Sequence, residues 1–257
     1  MTVRYETDGK IAYFTIDRPE KRNSFDMAML EQFENHVRAF AADPSVWVAI
    51  ITGAGDRAFC AGIDLATGLP TVTGPTPPDP PLRRLITLKG AELWKPVIAA
   101  VNGYCLGGGL ELLTGTDIRI ASPNATFALP EVRWGVTPRG GGNVRLPRQV
   151  PWAIAMEMLP TGDRIDAERA YQVGLINRVV PLEQLIPAAE DVAHRICRNG
   201  PIAVRAAKES AVRTSGVPLA QAWEIDFQTV APAFNSRDAT EGPRAFREGR
   251  EPNYEGM

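Results

Sequence analysis

Histidine and cysteine are scarce in this 257-residue chain: there are two histidines, His36 and His194, and three cysteines, Cys60, Cys105 and Cys197. Both histidines fall in segments with the apolar spacing of amphipathic helices, which predicts packing or solvated roles rather than metal ligation or acid–base work. The cysteines are odd in number and lack CxxC or metal-ligand spacing, so reduced thiols are expected rather than a disulfide framework or a metal site. Long apolar runs are also missing, and none approaches the ~20 residues of a membrane-spanning helix. The opening MTVRYETDGK carries charges in its first ten residues and has no apolar centre, unlike a signal peptide. A cytoplasmic location without membrane contact is the expectation. Lys and Arg form no run and the net charge is −2, which removes the electrostatic footprint of a nucleic-acid binder.

Hydrophobic residues make up 44% of the chain, ample for the core of one large domain or of one domain with an appendage. The most informative stretch is 95–111, KPVIAAVNGYCLGGGLE. Small and β-branched residues from Val97 to Val101 read as a buried strand, which breaks at Asn102-Gly103. Gly107, Gly108 and Gly109 follow, and then LELLTGTD, with the leucines and early acid of a helix start. Free backbone N–H groups at such a place suit an anion or a developing oxyanion.

The remaining sequence alternates strands with helices. Segments 3–6 and 11–16 read as a hairpin around Asp8-Gly9. The polar loop RPEKRNSFD brings Arg18, Lys21 and Arg22 together, as either a solvated turn or a phosphate contact, before a helix from about Met27. Segment 46–52 reads as a strand buried on both faces. It leads to GAGDRAFCAGIDL, where small residues permit close backbone approach and Ile63 N–H can face a site. Segment 68–82 holds six prolines and reads as a surface loop, followed by a helix over 82–94. Two strands, 117–121 and 126–129, take the chain out and back to deliver Glu131 near Glu111. A second glycine cluster, 140–142, opens another short helix, and helix, turn, helix and a short strand follow. From about 183 onward the pattern is helical. Leu219, Trp223, Phe227 and Val230 form a stripe that must pack on the main domain or on another subunit.

Taken together, RPEKRNSF, ITGAGDRAFCAGIDL, KPVIAAVNGYCLGGGLEL, DIRIAS, ATFALPEVRWGVTP, GGNVRLPR, TGDRIDAERAYQVGLINRVVP and SRDATEGPRAFREGR resemble the crotonase superfamily, the enoyl-CoA hydratase/isomerase family, in order and spacing. The resemblance implies an α/β fold: a crotonase-type spiral of ββα turns carrying the acyl-CoA site in residues 1–200, and a C-terminal α-helical oligomerisation region in 201–257. It implies an acyl-CoA thioester substrate, no separate cofactor, no metal, and a homotrimer or hexamer. It implies an oxyanion hole from the N–H groups of Ile63 and Gly108, and catalysis by Glu111 and Glu131, the pair found in members that hydrate a double bond. It also places Lys21, Arg22, Ala58 and Ala61 around coenzyme A. The expected activity is enoyl-CoA hydration. Enoyl-CoA isomerisation or another crotonase-type lyase reaction is the alternative within the family, and a non-catalytic acyl-CoA-binding protein is the alternative of another class. On residue chemistry alone both glutamates also suit structural roles at helix starts.

Three departures stand out. Arg139 replaces a glycine of the family's PGAGG-type motif, where its side chain can narrow the acyl pocket or meet an acidic group on the substrate. Glu255, after Tyr254, and Gly249 stand where lysines are common. Gly242-Pro243 is expected to shorten or kink the last helix.

Overall fold

The structure, a computed structural model, describes residues 2–64, 87–88 and 92–257. Strands β1 (Thr2–Asp8) and β2 (Ile11–Asp17) pair as the expected hairpin, closing at Asp8↔Ile11. Helix α1 (Met27–Ala42) begins where the Asp26 carboxylate accepts the Met29 N–H at 2.9 Å, and its Met29, Leu30, Phe33, Val37 and Phe40 are buried. There follow β3 (Val48–Gly53), β4 (Ala58–Cys60), β5 (Val97–Val101), β6 (Tyr104–Leu106), α2 (Gly108–Leu113), β7 (Ile118–Ala121) and β8 (Thr126–Ala128). After these come α3 (Gly142–Gln149), α4 (Trp152–Thr161), β9 (Ile165–Asp166), α5 (Ala167–Gln172) and β10 (Arg178–Val179). The chain ends in α6 (Leu185–Cys197), α7 (Pro201–Thr214), α8 (Leu219–Phe234) and α9 (Asp238–Glu248). The proline-rich stretch 68–82 and most of the helix expected over 82–94 lie outside the described residues, and 92–94 is irregular.

Two sheets result, one ordered β1-β2-β3-β5-β7-β10 and the other β4-β6-β8-β9. Pairing from β2 to β10 is parallel, as is that of β4 with β6 and of β6 with β8. Each of the segments β3–β4, β5–β6 and β7–β8 therefore lays a longer strand in the first sheet and a short one in the second, then steps one place along both. This is a spiral of ββ turns, as the family resemblance implied, with β4 and β6 formed in stretches that the residues alone marked as loop and turn. The passage 117–129 differs in detail, because β8 joins the second sheet instead of returning beside β7. Its corner is tied to the corner of the preceding turn: Ser122 Oγ donates to Val101 O at 3.1 Å and Asn124 Nδ2 donates to Asn102 O at 3.2 Å.

Corner bonds of this kind stack the spiral. Asn102 donates to Gly53 O and Gly55 O, at 2.8 and 2.7 Å, and accepts the Gly53 N–H at 3.3 Å. Gly103 must be glycine, since a Cβ there would stand 2.2 Å from Arg57 O. One face of the first sheet joins α1 and the second sheet in the main core, and the other face packs Ile50, Ile98 and Ile120 on Leu185, Ala189 and Val192 of α6.

The helical end matches the sequence reading, with one correction. The shortening expected at Gly242-Pro243 does not occur, because α9 continues through Pro243 to Glu248. The lost ladder bond is offset by tail contacts: Asn253 N–H donates to Glu241 Oε1 at 3.0 Å, and the Glu255 and Gly256 N–H groups donate to Asp238 at 2.9 and 3.0 Å. On α8, Leu219, Trp223 and Phe227 are 70%, 64% and 77% exposed, so their stripe does not pack on this chain's own core. Among the described residues, no helix is long and apolar enough to cross a membrane.

Candidate active site

The two glycine-rich turns read from the sequence meet backbone to backbone. Gly107 caps α2 with φ +55°, and Gly62 takes φ +94°, both in the left-handed region that glycine tolerates. A Cβ on Gly62 would stand 3.0 Å from Gly108 N, and one on Gly109 would stand 2.1 Å from Cys60 O. Any side chain would force the strips apart. Phe25 bridges this turn by donating its N–H to Gly62 O at 2.8 Å and accepting the Asp64 N–H at 2.9 Å. That parallel bridge leaves the Ile63 N–H on the other side of the strip. The Gly108 N–H, in the first helical position, has no intrahelical acceptor. A Cβ on Gly108 would lie 3.8 Å from Ile63 N, so the two amides are neighbours.

The strip is braced from behind by ionic and amide contacts. Buried Arg18, at the end of β2, pairs with Asp64 at 3.0 Å and donates to Ser24 O at 3.2 Å. Asn23 adopts φ +56°, receives the Arg18 N–H at 2.9 Å, and donates to Ala54 O and Ala58 O at 3.0 and 2.6 Å. The amide contacts repay the strain of a left-handed non-glycine residue.

Both glutamates are delivered to this junction by separate elements. Glu111 lies in the first turn of α2, is 6% exposed, and accepts the Gly142 N–H on Oε1 at 3.0 Å. Glu131 lies in the 3-10 turn Pro130–Trp134 after β8. Its Oε1 is 3.2 Å from where a Cβ on Gly107 would sit, and its Oε2 is buried with no hydrogen-bond partner. Burial, and then the Glu111 charge, push the Glu131 carboxyl up to about 7, while its own backbone N–H acts in the opposite direction. One carboxyl therefore holds a proton near neutrality beside a second carboxyl fixed by a backbone donor.

The expected coenzyme A residues gather on one side. Lys21 ends the turn Pro19–Lys21, and Arg22 follows it with φ +53°; both are exposed. Ala61 is half-buried and donates its N–H to Arg22 O at 3.0 Å, whereas Ala58 is fully buried in β4. Arg139 is exposed, but its neighbour Gly140 lies against Glu111: a Cβ there would stand 2.6 Å from Glu111 Oε2. Tyr104 went unnoticed in the sequence, yet Arg22 and Arg164 lie over its ring, 5.5 and 5.1 Å from the centroid. Arg164 is sixty residues from Tyr104 and comes to it through the successive pairing of β6 with β8 and β8 with β9, so spacing carried no signal.

The enoyl-CoA hydratase/isomerase family model matches residues 6–257. The chain belongs to that family, within the crotonase superfamily. It is 41% identical over 253 residues to the enoyl-CoA hydratase EchA19 of Mycobacterium tuberculosis, covering 97% of this chain and 95% of that protein. It is 40% identical over 257 residues to the carnitinyl-CoA dehydratase of Proteus mirabilis, covering 97% of each. The crystal structure of an enoyl-CoA hydratase from Mycobacterium tuberculosis H37Rv superposes with a TM-score of 0.90 at 36% identity, covering 99% of both chains. The protein is an enzyme of the crotonase type.

Proposed function

We propose that this enzyme adds water reversibly across the 2,3 double bond of a 2-enoyl-CoA thioester. The observation that carries this reading is the pair Glu111 and Glu131 at a junction of free backbone donors, one carboxyl held by Gly142 N–H and the other buried with an unpartnered oxygen. Two of the relatives are named for hydration and dehydration of CoA compounds, opposite directions of one reaction type.

The Ile63 and Gly108 N–H groups receive the thioester oxygen as it gains charge, and each such donor is worth roughly 3 kcal/mol in comparable oxyanion holes. Glu111 takes a proton from water as the hydroxyl bonds to C3. The electrons of the double bond pass to the thioester oxygen, and the enolate returns them to C2 as it accepts the Glu131 proton. Raised proton affinity suits Glu131 to the donor role and the fixed carboxylate suits Glu111 to the base role. Coenzyme A enters as part of the substrate, with no separate cofactor or metal. Lys21 and Arg22, joined by Arg164, offer charge for its phosphates, Ala61 backs its pantetheine, and buried Ala58 supports that turn from beneath. Arg139 lines the entrance beside Gly140. The same reading assigns the site to residues 1–200 and subunit contact to 201–257, supported by the exposed stripe on α8, in a homotrimer or hexamer of a cytoplasmic enzyme.

The test is incubation with crotonyl-CoA and longer 2-enoyl-CoAs across pH, following loss of the conjugated thioester absorbance. Hydration starts from protonated Glu131 with ionised Glu111, and dehydration from the reverse arrangement, so both need one proton shared by the pair. With Glu131 near 7, kcat/KM is expected to fall above about pH 7 in both directions alike, as the pair loses that proton. A flat profile from pH 6 to about 9 removes Glu131 as donor. Tight binding without turnover at any chain length would mark an acyl-CoA-binding protein instead.

A further inference from the structure

The sequence reading passed over Arg145, although it ties the helix that holds Glu111 to the segment carrying Thr87 and Leu88. It lies one turn into α3, the helix whose first N–H, from Gly142, holds Glu111 Oε1 at 3.0 Å. Its guanidinium reaches out of the helix and donates to Thr87 O at 2.5 Å and to Leu88 O at 2.9 Å. Space for it is left by Gly115, just beyond α2: a Cβ there would stand 2.8 Å from Arg145 Nη1 and 2.5 Å from Thr87 O. Thr87 approaches Glu111 in turn, since a Cβ on Gly140 would collide with Thr87 Cγ2 at 2.5 Å and with Glu111 Oε2 at 2.6 Å. Among the described residues, no carboxylate lies within ion-pair distance of Arg145; both of its recorded acceptors are neutral carbonyls. A half-buried cation held that way leaves its charge to act through space.

We propose that Arg145 is a positioning residue: its clamp on Thr87 and Leu88 fixes the start of α3 against Glu111, and its charge keeps Glu111 ionised beside Glu131. The inference rests on Glu111 being the base. Glu131 faces Glu111 from the turn after β8, and Arg145 faces it from α3. Behind Arg145 stands Arg119 of β7, itself beside Asp117 and Cys105. Burial pulls the Arg145 pKa down while the Glu111 charge opposes that, so the two charges act on each other through space and not as a contact ion pair. A second carboxyl beside Glu111 disfavours its ionisation, and among the described residues Arg145 is a cation whose charge acts against that.

The test is the pH dependence of kcat/KM for crotonyl-CoA hydration in Arg145→Gln and Arg145→Lys, with folding followed by circular dichroism. In Arg145→Gln, the acid limb, where Glu111 gains a proton, is expected to rise by about one pH unit. The corresponding loss of kcat/KM well below the limb is about tenfold, with KM little changed. Arg145→Lys keeps the charge and loses the fork, so an acid limb close to the parent's with a reduced kcat is expected. A folded Arg145→Gln enzyme with the parental acid limb and kcat overturns the proposal. If Arg145→Gln does not fold, Arg145→Lys decides, and parental kcat there overturns the clamp. Full activity in Glu111→Gln would instead sink the reading of Glu111 as base.

Discussion

Glu111→Gln and Glu131→Gln are each expected to lower kcat for crotonyl-CoA hydration by roughly 10²–10⁴-fold while leaving the fold intact, the cost of losing a positioned acid or base. The amide matches the carboxylate in volume, and at position 111 its carbonyl oxygen can still accept the Gly142 N–H that now binds Oε1 at 3.0 Å. What disappears is proton exchange. At position 131 the substitution replaces a buried oxygen that has no hydrogen-bond partner, so little structural bonding is lost. The double variant should be only slightly slower than either single one, because groups that act as a unit do not contribute additively. Measuring 3-enoyl to 2-enoyl conversion in Glu111→Ala and Glu131→Ala separates the neighbouring reaction. Double-bond isomerisation needs one proton shuttle, and one of these variants would retain it if that were the activity.

Gly109→Ala is expected to destabilise the protein by about 3 kcal/mol or more, the upper end for overpacking a filled core. Its Cβ would stand 2.1 Å from Cys60 O and 3.0 Å from Cys60 Cβ, and the nearer obstacle is backbone, which cannot rotate away. The strip holding Ile63 must then separate from the one holding Gly108. Misplacing paired donors by about 1 Å costs on the order of 10²-fold in rate. Urea unfolding followed by fluorescence should show a lowered midpoint with an unchanged slope, and hydration by the remaining folded enzyme should be slow. A Gly109→Ala enzyme with parental midpoint and kcat would refute the close packing of the two strips. Gly174→Ala is the control, since no heavy atom lies within 4 Å of its added Cβ and only the strain of φ +78° remains.

By itself the sequence determined the long strands of the first sheet, the glycine turns and the helical end, because each depends on local chemistry, whereas the short strands β4 and β6 lay inside stretches that read as loop and turn. The buried strand at 97–101, the start of α1 at Met27 and the glycine turn at Gly107 follow from which residues pack, open a helix or tolerate positive φ. Glu111 and Glu131 stood out through the motifs around them, since each is attached to a local turn of recognisable form. Only the tertiary structure decided how those turns meet. The step of β8 into the second sheet depends on bonds from Ser122 and Asn124 to an earlier corner, which no local pattern encodes. The fate of the α8 stripe was left open between core and partner, and its exposure in the folded chain depends on where every other element goes. The persistence of α9 through Pro243 comes from a tail that folds back on it. Arg145 sits within the GGNVRLPR motif, yet nothing in one dimension pointed to its contacts. Its acceptors precede it by 58 and 57 residues, and an arginine's partner in sequence space is set by chain topology rather than by spacing.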